Sequence, residues 1–157
     1  MKQNFERYEV VAQFIFDEYS KIYYAPLRYQ AMRHTDLVDG WVTLLAQRRH
    51  LDLELLKISA LLHDLARFSY NAPFQHAQKG ANLAREILED MKQFEESEIE
   101  QVCQAISHHS DKQCIDTPFD EALKDGDLLA RWSMDPSEQF DDDLKQRFNQ
   151  LKAELSL

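Results

Sequence analysis

The sequence predicts an all-α, single-domain bundle, and three observations lead to it. Only three glycines and four prolines interrupt 157 residues, which leaves long stretches in which helices can run unbroken. Apolar residues recur at spacings of three and four, with no alternating strand pattern of useful length. Hydrophobic residues make up 44% of the chain and charged residues 29%, a balance that suits one core of this size rather than a disordered chain. No repeat, low-complexity tract or linker divides it, so residues 1–157 read as one domain.

Residues 3–20 place Phe5, Tyr8, Val11, Ala12, Ile15 and Tyr19 on one face of a first helix. Pro26 suits the first turn of a second, where its missing N–H costs nothing, and Leu27, Ala31, His34, Val38, Trp41 and Leu45 continue one stripe. Asp52 can cap a third helix running to about Ala66. Pro73 marks the loop before a fourth, starting near Gln75. Ser97 with Glu100 makes a capping-box pattern for a fifth, which Glu95 and Glu96 could extend by a turn and which ends near His109. The stretch "DKQCIDTP" reads as loop and "FDEALKDGDLLARW" as a sixth helix. Asp135-Pro136 with Glu138 is expected to start the last, amphipathic one.

The formal net charge is −10, but residues 1–85 hold 11 basic and 9 acidic side chains, whereas residues 86–157 hold 7 and 19. The acidic C-terminal half is the wrong sign for a duplex nucleic acid or an anionic membrane surface, while a small anionic substrate in a local cationic pocket stays compatible with it. No run approaches 18 apolar residues, so no membrane span is expected. Cys103 and Cys114 are too far apart for a CxxC pair, and "MKQNFERYEV" has no signal-peptide pattern. The expectation is a cytoplasmic protein with reduced thiols.

The stretch "ALLHDLARF", residues 60–68, sets His63 beside Asp64 in an otherwise apolar helix. A buried carboxylate without a partner costs roughly several kcal/mol, so something must compensate it. Other metal-type residues fall on inward faces too. His34 lies on the second helix's stripe; Ile99, Val102 and Ile106 aim His109 inward, with His108 about 100° round from it; and Asp127 follows Leu123 by four residues. Each has an ordinary explanation: His34 as a partly exposed hydrogen-bonding residue, His76 as a solvated helix start, Asp64 paired with Arg67 at i+3 for about 0.2–0.5 kcal/mol. His50, after Arg48 and Arg49, reads as a cation at a helix C-terminus and is left out of the site. One shared ion, however, explains His34, His63, Asp64, His109 and Asp127 together, and helical folds build metal sites by such convergence.

Taken in order, "RHTDLV", "LLHDLAR", "QHAQKGANLAREIL", "ISHHSD" and "LKDGDLLAR" resemble the HD superfamily of metal-dependent phosphohydrolases over roughly residues 30–131. The resemblance implies a helical bundle of the HD-domain type with His34, His63, Asp64 and Asp127 as ligands of one divalent ion. It also implies that His76 and His109, with His108 as neighbour, match the subset holding a second ion bridged by Asp64; periodicity favours His109 of the adjacent pair. Ala66 and Arg67 stand where relatives often carry glycine and then lysine, and Asp125-Gly126-Asp127 where they often have Asp-Ala-Asp. Neither departure removes a ligand. The Gly-Tyr-Pro signature of the cyclic-dinucleotide branch is missing.

Imidazole and carboxylate ligands suit Mn²⁺, Fe²⁺, Co²⁺, Ni²⁺, Zn²⁺ or Mg²⁺, one or two per chain. Such an ion lowers the pKa of bound water from about 16 toward roughly 7, giving a nucleophile for phosphorus at neutral pH. Asp64 is then the central catalytic carboxylate, and Arg67, one turn later, a candidate clamp on phosphate oxygens. Lys79 and Lys124 are weaker candidates that also read as surface cations, and Gly80 could permit close helix packing or access to the site. The expected function is hydrolysis of a small phosphorylated compound, with the resemblance pointing to a nucleotide. Two alternatives stand beside it: a non-catalytic metal- or nucleotide-binding regulatory domain, and a relative using a di-iron centre for oxygen chemistry.

Overall fold

The computed structural model describes residues 5–157. Its elements are α1 (Glu6–Ser20), α2 (Ala25–Arg49), α3 (Leu53–Leu62), α4 (Leu65–Ser69), α5 (His76–Met91), α6 (Glu96–His108), α7 (Pro118–Met134) and α8 (Asp142–Leu155), with no strand among the described residues. Positions 3 and 4 of the expected first helix lie outside the described residues. None of these helices is long and apolar enough to cross a membrane.

The bundle is arranged around α3, which Asp52 starts by accepting from the Leu55 N–H at 2.9 Å. Seven of its ten residues are buried, because α1, α2, α6 and α7 all pack against it. A helix enclosed on every side must be apolar all round, and the sequence Leu-Glu-Leu-Leu-Lys-Ile-Ser-Ala-Leu-Leu largely obeys. Its buried Ser59 donates its hydroxyl back to the Leu55 carbonyl, 2.9 Å away. Around this axis α2 lies against α7, and α5 and α6 form a helical hairpin.

Three boundaries differ from the sequence expectation. The third helix does not run through to Ala66: it breaks at His63-Asp64, and α4 begins at Leu65. Asp64 sits at φ −111° and ψ 10°, while its carbonyl already accepts from the Phe68 N–H at 3.1 Å, so the chain turns there without losing its hydrogen bonding. The capping box of α6 is Glu95 with Glu98, not Ser97 with Glu100; Glu95 carries a carboxylate that can do what a serine cap does. The last helix starts at Asp142 rather than near Asp135. Asp135 spends its carboxylate on the Ser137 N–H at 3.0 Å and Glu138 pairs with Arg131, while Asp141 caps α8 through the Leu144 N–H at 2.9 Å.

Close approach at two glycines positions the elements that carry the histidines and aspartates. A Cβ on Gly80 would meet the His63 carbonyl oxygen at 3.1 Å, so α5 presses directly on the break between α3 and α4. That is the close-packing role, rather than an access role, for Gly80. A Cβ on Gly126 would meet Val42 Cγ1 at 2.5 Å, which brings α7 against α2 one residue before Asp127.

Candidate metal centre

Five parts of the chain converge below one cleft. His34 comes from the middle of α2, His63 and Asp64 from the α3–α4 turn, His76 from the first residue of α5, His109 from the end of α6 and Asp127 from α7. In an unbroken helix His63 and Asp64 would diverge by about 100°. The turn instead lets both serve one site, with His63 Nε2 3.7 Å from Asp64 Oδ2.

Four of these residues form one group. His34 Nε2 lies 3.2 Å from His63 Nε2, 3.6 Å from Asp64 Oδ2 and 3.1 Å from Asp127 Oδ1, and His63 Nε2 lies 3.9 Å from Asp127 Oδ1. A second group uses the other oxygen of the same carboxylate. Asp64 Oδ1 is 3.6 Å from His76 Nε2 and 3.5 Å from His109 Nε2. Asp64 therefore stands between the two groups, one oxygen turned to each.

Backbone carbonyls set the histidine tautomers. His63 Nδ1–H donates to Ala60 O at 2.7 Å, His109 Nδ1–H to Ile106 O at 2.7 Å and His76 Nδ1–H to Pro73 O at 3.3 Å. Each contact reaches three residues back, so each ring presents the Nε2 lone pair to the centre. In the second group this leaves three acceptors, two imidazole nitrogens and Asp64 Oδ1, facing one another. Asp64 Oδ1 is buried without any hydrogen-bond partner. Acceptors converging without a donor repel unless a cation lies among them, so the residues present fit a metal ion.

The electrostatics agree. Burial pulls His63 down from 6.5 to about 4, which keeps it neutral and able to ligate at pH 7. His76 is lowered too, chiefly by burial and against the pull of Asp64. Burial pushes the Asp64 carboxyl up, but in acid the protonated imidazoles of His63 and His109 outweigh it and hold it below the carboxylate range. Asp127 is likewise raised by burial, then held well below that range by Lys112 and His34. Both acids thus stay ionised although largely buried.

Arg67, the candidate phosphate clamp, reaches the cleft: its Nη1 lies 3.2 Å from Asp64 Oδ2, and its side chain is half exposed. The cleft has a volume of about 580 Å³, and beside His34, Asp64, His76, His109 and Asp127 its lining includes Gln30, Phe68, the cations Lys112 and Arg131 and the acids Asp135 and Glu138. Lys112 was not anticipated from the sequence. It ion-pairs with Asp127 Oδ2 and donates to the His109 carbonyl at 2.9 Å; its place three residues after His109 in "HHSDK" was the one available signal.

Two expectations are corrected. His108 does not join the centre, because it leaves the helix about 100° away from His109. Its Nδ1 lies 2.9 Å from Asp120 Oδ2 and 3.6 Å from Asp116 Oδ1. These three could hold an ion by their spacing, but Gln104 also donates to Asp120 Oδ2 and Lys124 to Asp116 Oδ2 at 2.6 Å, so the group closes α6 onto α7 as a polar network. Lys124 is neither a surface cation nor a phosphate ligand: its ammonium is fully buried and also engages Glu121 at 2.9 Å and the Cys114 carbonyl at 2.8 Å. Lys79 is exposed and does not line the cleft. Cys103 and Cys114 are both free thiols.

Comparison with known proteins gives two matches. The model of the HD domain family matches residues 32–139. The crystal structure of a predicted HD superfamily hydrolase from an uncultured Thermotogales bacterium aligns with a TM-score of 0.64 and 25% identity, over 94% of this chain and 88% of that one. No curated protein matches the chain.

Proposed function

The chain belongs to the HD domain family, and from that premise we propose that it is a metal-dependent phosphohydrolase acting on a small phosphorylated compound, with a nucleotide as the substrate class. The observation that carries this is the placement of Asp64, with one carboxylate oxygen turned to His34 and His63 and the other, unpartnered, to His76 and His109. His34, His63, Asp64 and Asp127 would hold one divalent ion, and Asp64, His76 and His109 a second that shares the carboxylate. When bound, such ions supply a low-pKa water and neutralise phosphate charge.

The chain's own residues do the rest. The carbonyl-anchored imidazoles hold their lone pairs in place, so little reorganisation is needed at the moment of reaction. Asp64 and Asp127 remain ionised and supply the negative charge that retains the cations. Arg67, held at Asp64 with its head at the cleft, can donate two parallel N–H bonds to phosphate oxygens and so fix the ester over the centre. A cleft of about 580 Å³ accommodates a ligand of nucleotide size.

The test is phosphate release from nucleoside mono-, di- and triphosphates by protein loaded in turn with Mn²⁺, Co²⁺, Ni²⁺, Zn²⁺ or Mg²⁺, before and after chelation. Turnover that disappears on chelation and returns with metal is expected. Full turnover by verified metal-free protein, or tight metal binding with no phosphate release from any ester, would overturn the proposal. The second result would leave a binding domain, and oxygen consumption by an iron-loaded form would leave the oxygenase alternative.

A further inference from the structure

Lys112 is a cation where the chemistry of a metal centre would least tolerate one. It lies in the loop after α6, its side chain is 7% exposed, and it contacts Asp127 Oδ2, the carboxylate whose other oxygen faces His34 and His63. A fixed positive charge beside residues that would hold divalent ions opposes their binding. The chain nevertheless invests in placing it. The His109 carbonyl accepts a second N–H at 2.9 Å, and the loop backbone is tied from behind by Arg147 of α8, which donates to the Lys112 carbonyl at 3.3 Å. Arg147 is itself held by Asp125 at 2.7 Å and Glu121 at 2.8 Å. An ammonium has three N–H donors; two are accounted for, and Lys112 lines the cleft.

We propose that Lys112 is a substrate-binding residue whose remaining N–H donates to a phosphoryl oxygen of the bound ester, an inference that rests on the phosphohydrolase reading above. An anion entering the cleft converts the electrostatic cost of Lys112 into binding, since a phosphate dianion is attracted by the same charge that repels a metal ion. Arg67 on Asp64 and Lys112 on Asp127 then approach the phosphate from the two carboxylates of the centre. This arrangement also gives Lys112 a sign that a merely structural partner of Asp127 would not have. Removing its charge should weaken anion binding while leaving metal binding equal or stronger, whereas losing an orienting group for Asp127 would weaken the metal.

The experiment is calorimetric titration of inorganic phosphate into Mn²⁺-loaded protein, together with Mn²⁺ titration of the chelated protein, for wild type, Lys112→Met and Lys112→Arg. The methionine variant should bind phosphate roughly 10- to 100-fold more weakly, as expected for one lost charge-assisted hydrogen bond, with Mn²⁺ affinity no lower than wild type. The arginine variant should recover most of the phosphate affinity. If the methionine variant fails to fold, Lys112→Gln, whose amide can still donate to the His109 carbonyl, is read by the same criteria. Phosphate binding unchanged from wild type, or a loss of phosphate affinity matched by a loss of Mn²⁺ affinity, overturns the assignment alone. A wild-type protein that binds no phosphate and releases none from any ester overturns the phosphohydrolase reading, and the assignment with it.

Discussion

Replacing Gly126 with alanine asks whether the approach of α2 to α7 sets the metal centre. An alanine Cβ would lie 2.5 Å from Val42 Cγ1, 3.5 Å from the Val42 nitrogen and 3.6 Å from the Val38 carbonyl oxygen. Val42 is fully buried, and a β-branched side chain on a helix has one strongly preferred rotamer, so it cannot swing clear. Ordinary carbon–carbon contact is about 3.5–4.0 Å, and the two helices must therefore part by about 1 Å. Overpacking of this kind costs about 1–3 kcal/mol, while alanine gains about 1 kcal/mol over glycine in helix propensity. The net destabilisation is about 0–2 kcal/mol, a fall of at most about 8 °C in the melting temperature of a chain this size.

The centre is far less tolerant of that displacement than the fold. Asp127 is the next residue, and its Oδ1 lies 3.1 Å from His34 Nε2 on the helix being pushed away. Metal–ligand distances tolerate only about 0.2 Å, so Mn²⁺ affinity should fall about tenfold or more while the chelated protein melts no more than about 8 °C below wild type. Calorimetric Mn²⁺ titration and thermal unfolding by circular dichroism measure both. Adding Val42→Ala removes the clash and should restore metal affinity, although the loss of the buried valine lowers stability further. Wild-type Mn²⁺ affinity in Gly126→Ala, or a double variant whose affinity does not recover, would refute the reasoning.

Asp64→Asn should abolish metal-dependent turnover while leaving the helical circular dichroism spectrum essentially intact, because the amide keeps the shape and loses the charge; near-normal turnover would return Asp64 to a purely structural role. Metal analysis of the saturated wild type should find close to two ions per chain, falling by about one in His76→Ala or His109→Ala and not at all in His108→Ala. Inactive His76 and His109 variants that keep the full metal count would place those rings on the substrate instead. The chelated protein should lose stability on acidification from pH 6.5 to 4. Burial holds folded His63 at about 4 against its ordinary 6.5, so the unfolded chain takes up the proton first, and the loss is roughly 3 kcal/mol across that window. Asp64 and Asp127, held below the usual carboxylate range, extend the same trend to lower pH. Denaturant melts that stay flat between pH 6.5 and 5 would show that His63 is not kept neutral by the fold.

Helix content was legible from the sequence because periodicity and caps are local. Val11, Ile15 and Tyr19 are buried as their spacing requires, Asp52 caps where a cap was expected, and the inward direction of His109 followed from Ile99, Val102 and Ile106. The order of the histidines and aspartates along the chain was enough to name a family resemblance, and periodicity put His34, His109 and Asp127 on the inward faces of their own helices. Chain order, however, says nothing about which oxygen of Asp64 faces which histidine. That division depends on the break at residues 63–64, and the break is held by α5 pressing Gly80 onto the His63 carbonyl, a contact between segments far apart in sequence. Lys112 and Lys124 make the same point from opposite directions. Both are lone lysines in polar stretches, and only the folded chain places the Lys112 ammonium against Asp127 beneath the cleft and buries Lys124, a turn earlier on α7, in an ion-pair network with Asp116 and Glu121. A sequence sets what each side chain can do within a turn or two of its own helix. The partner of a charge is chosen by whichever helices the core brings together.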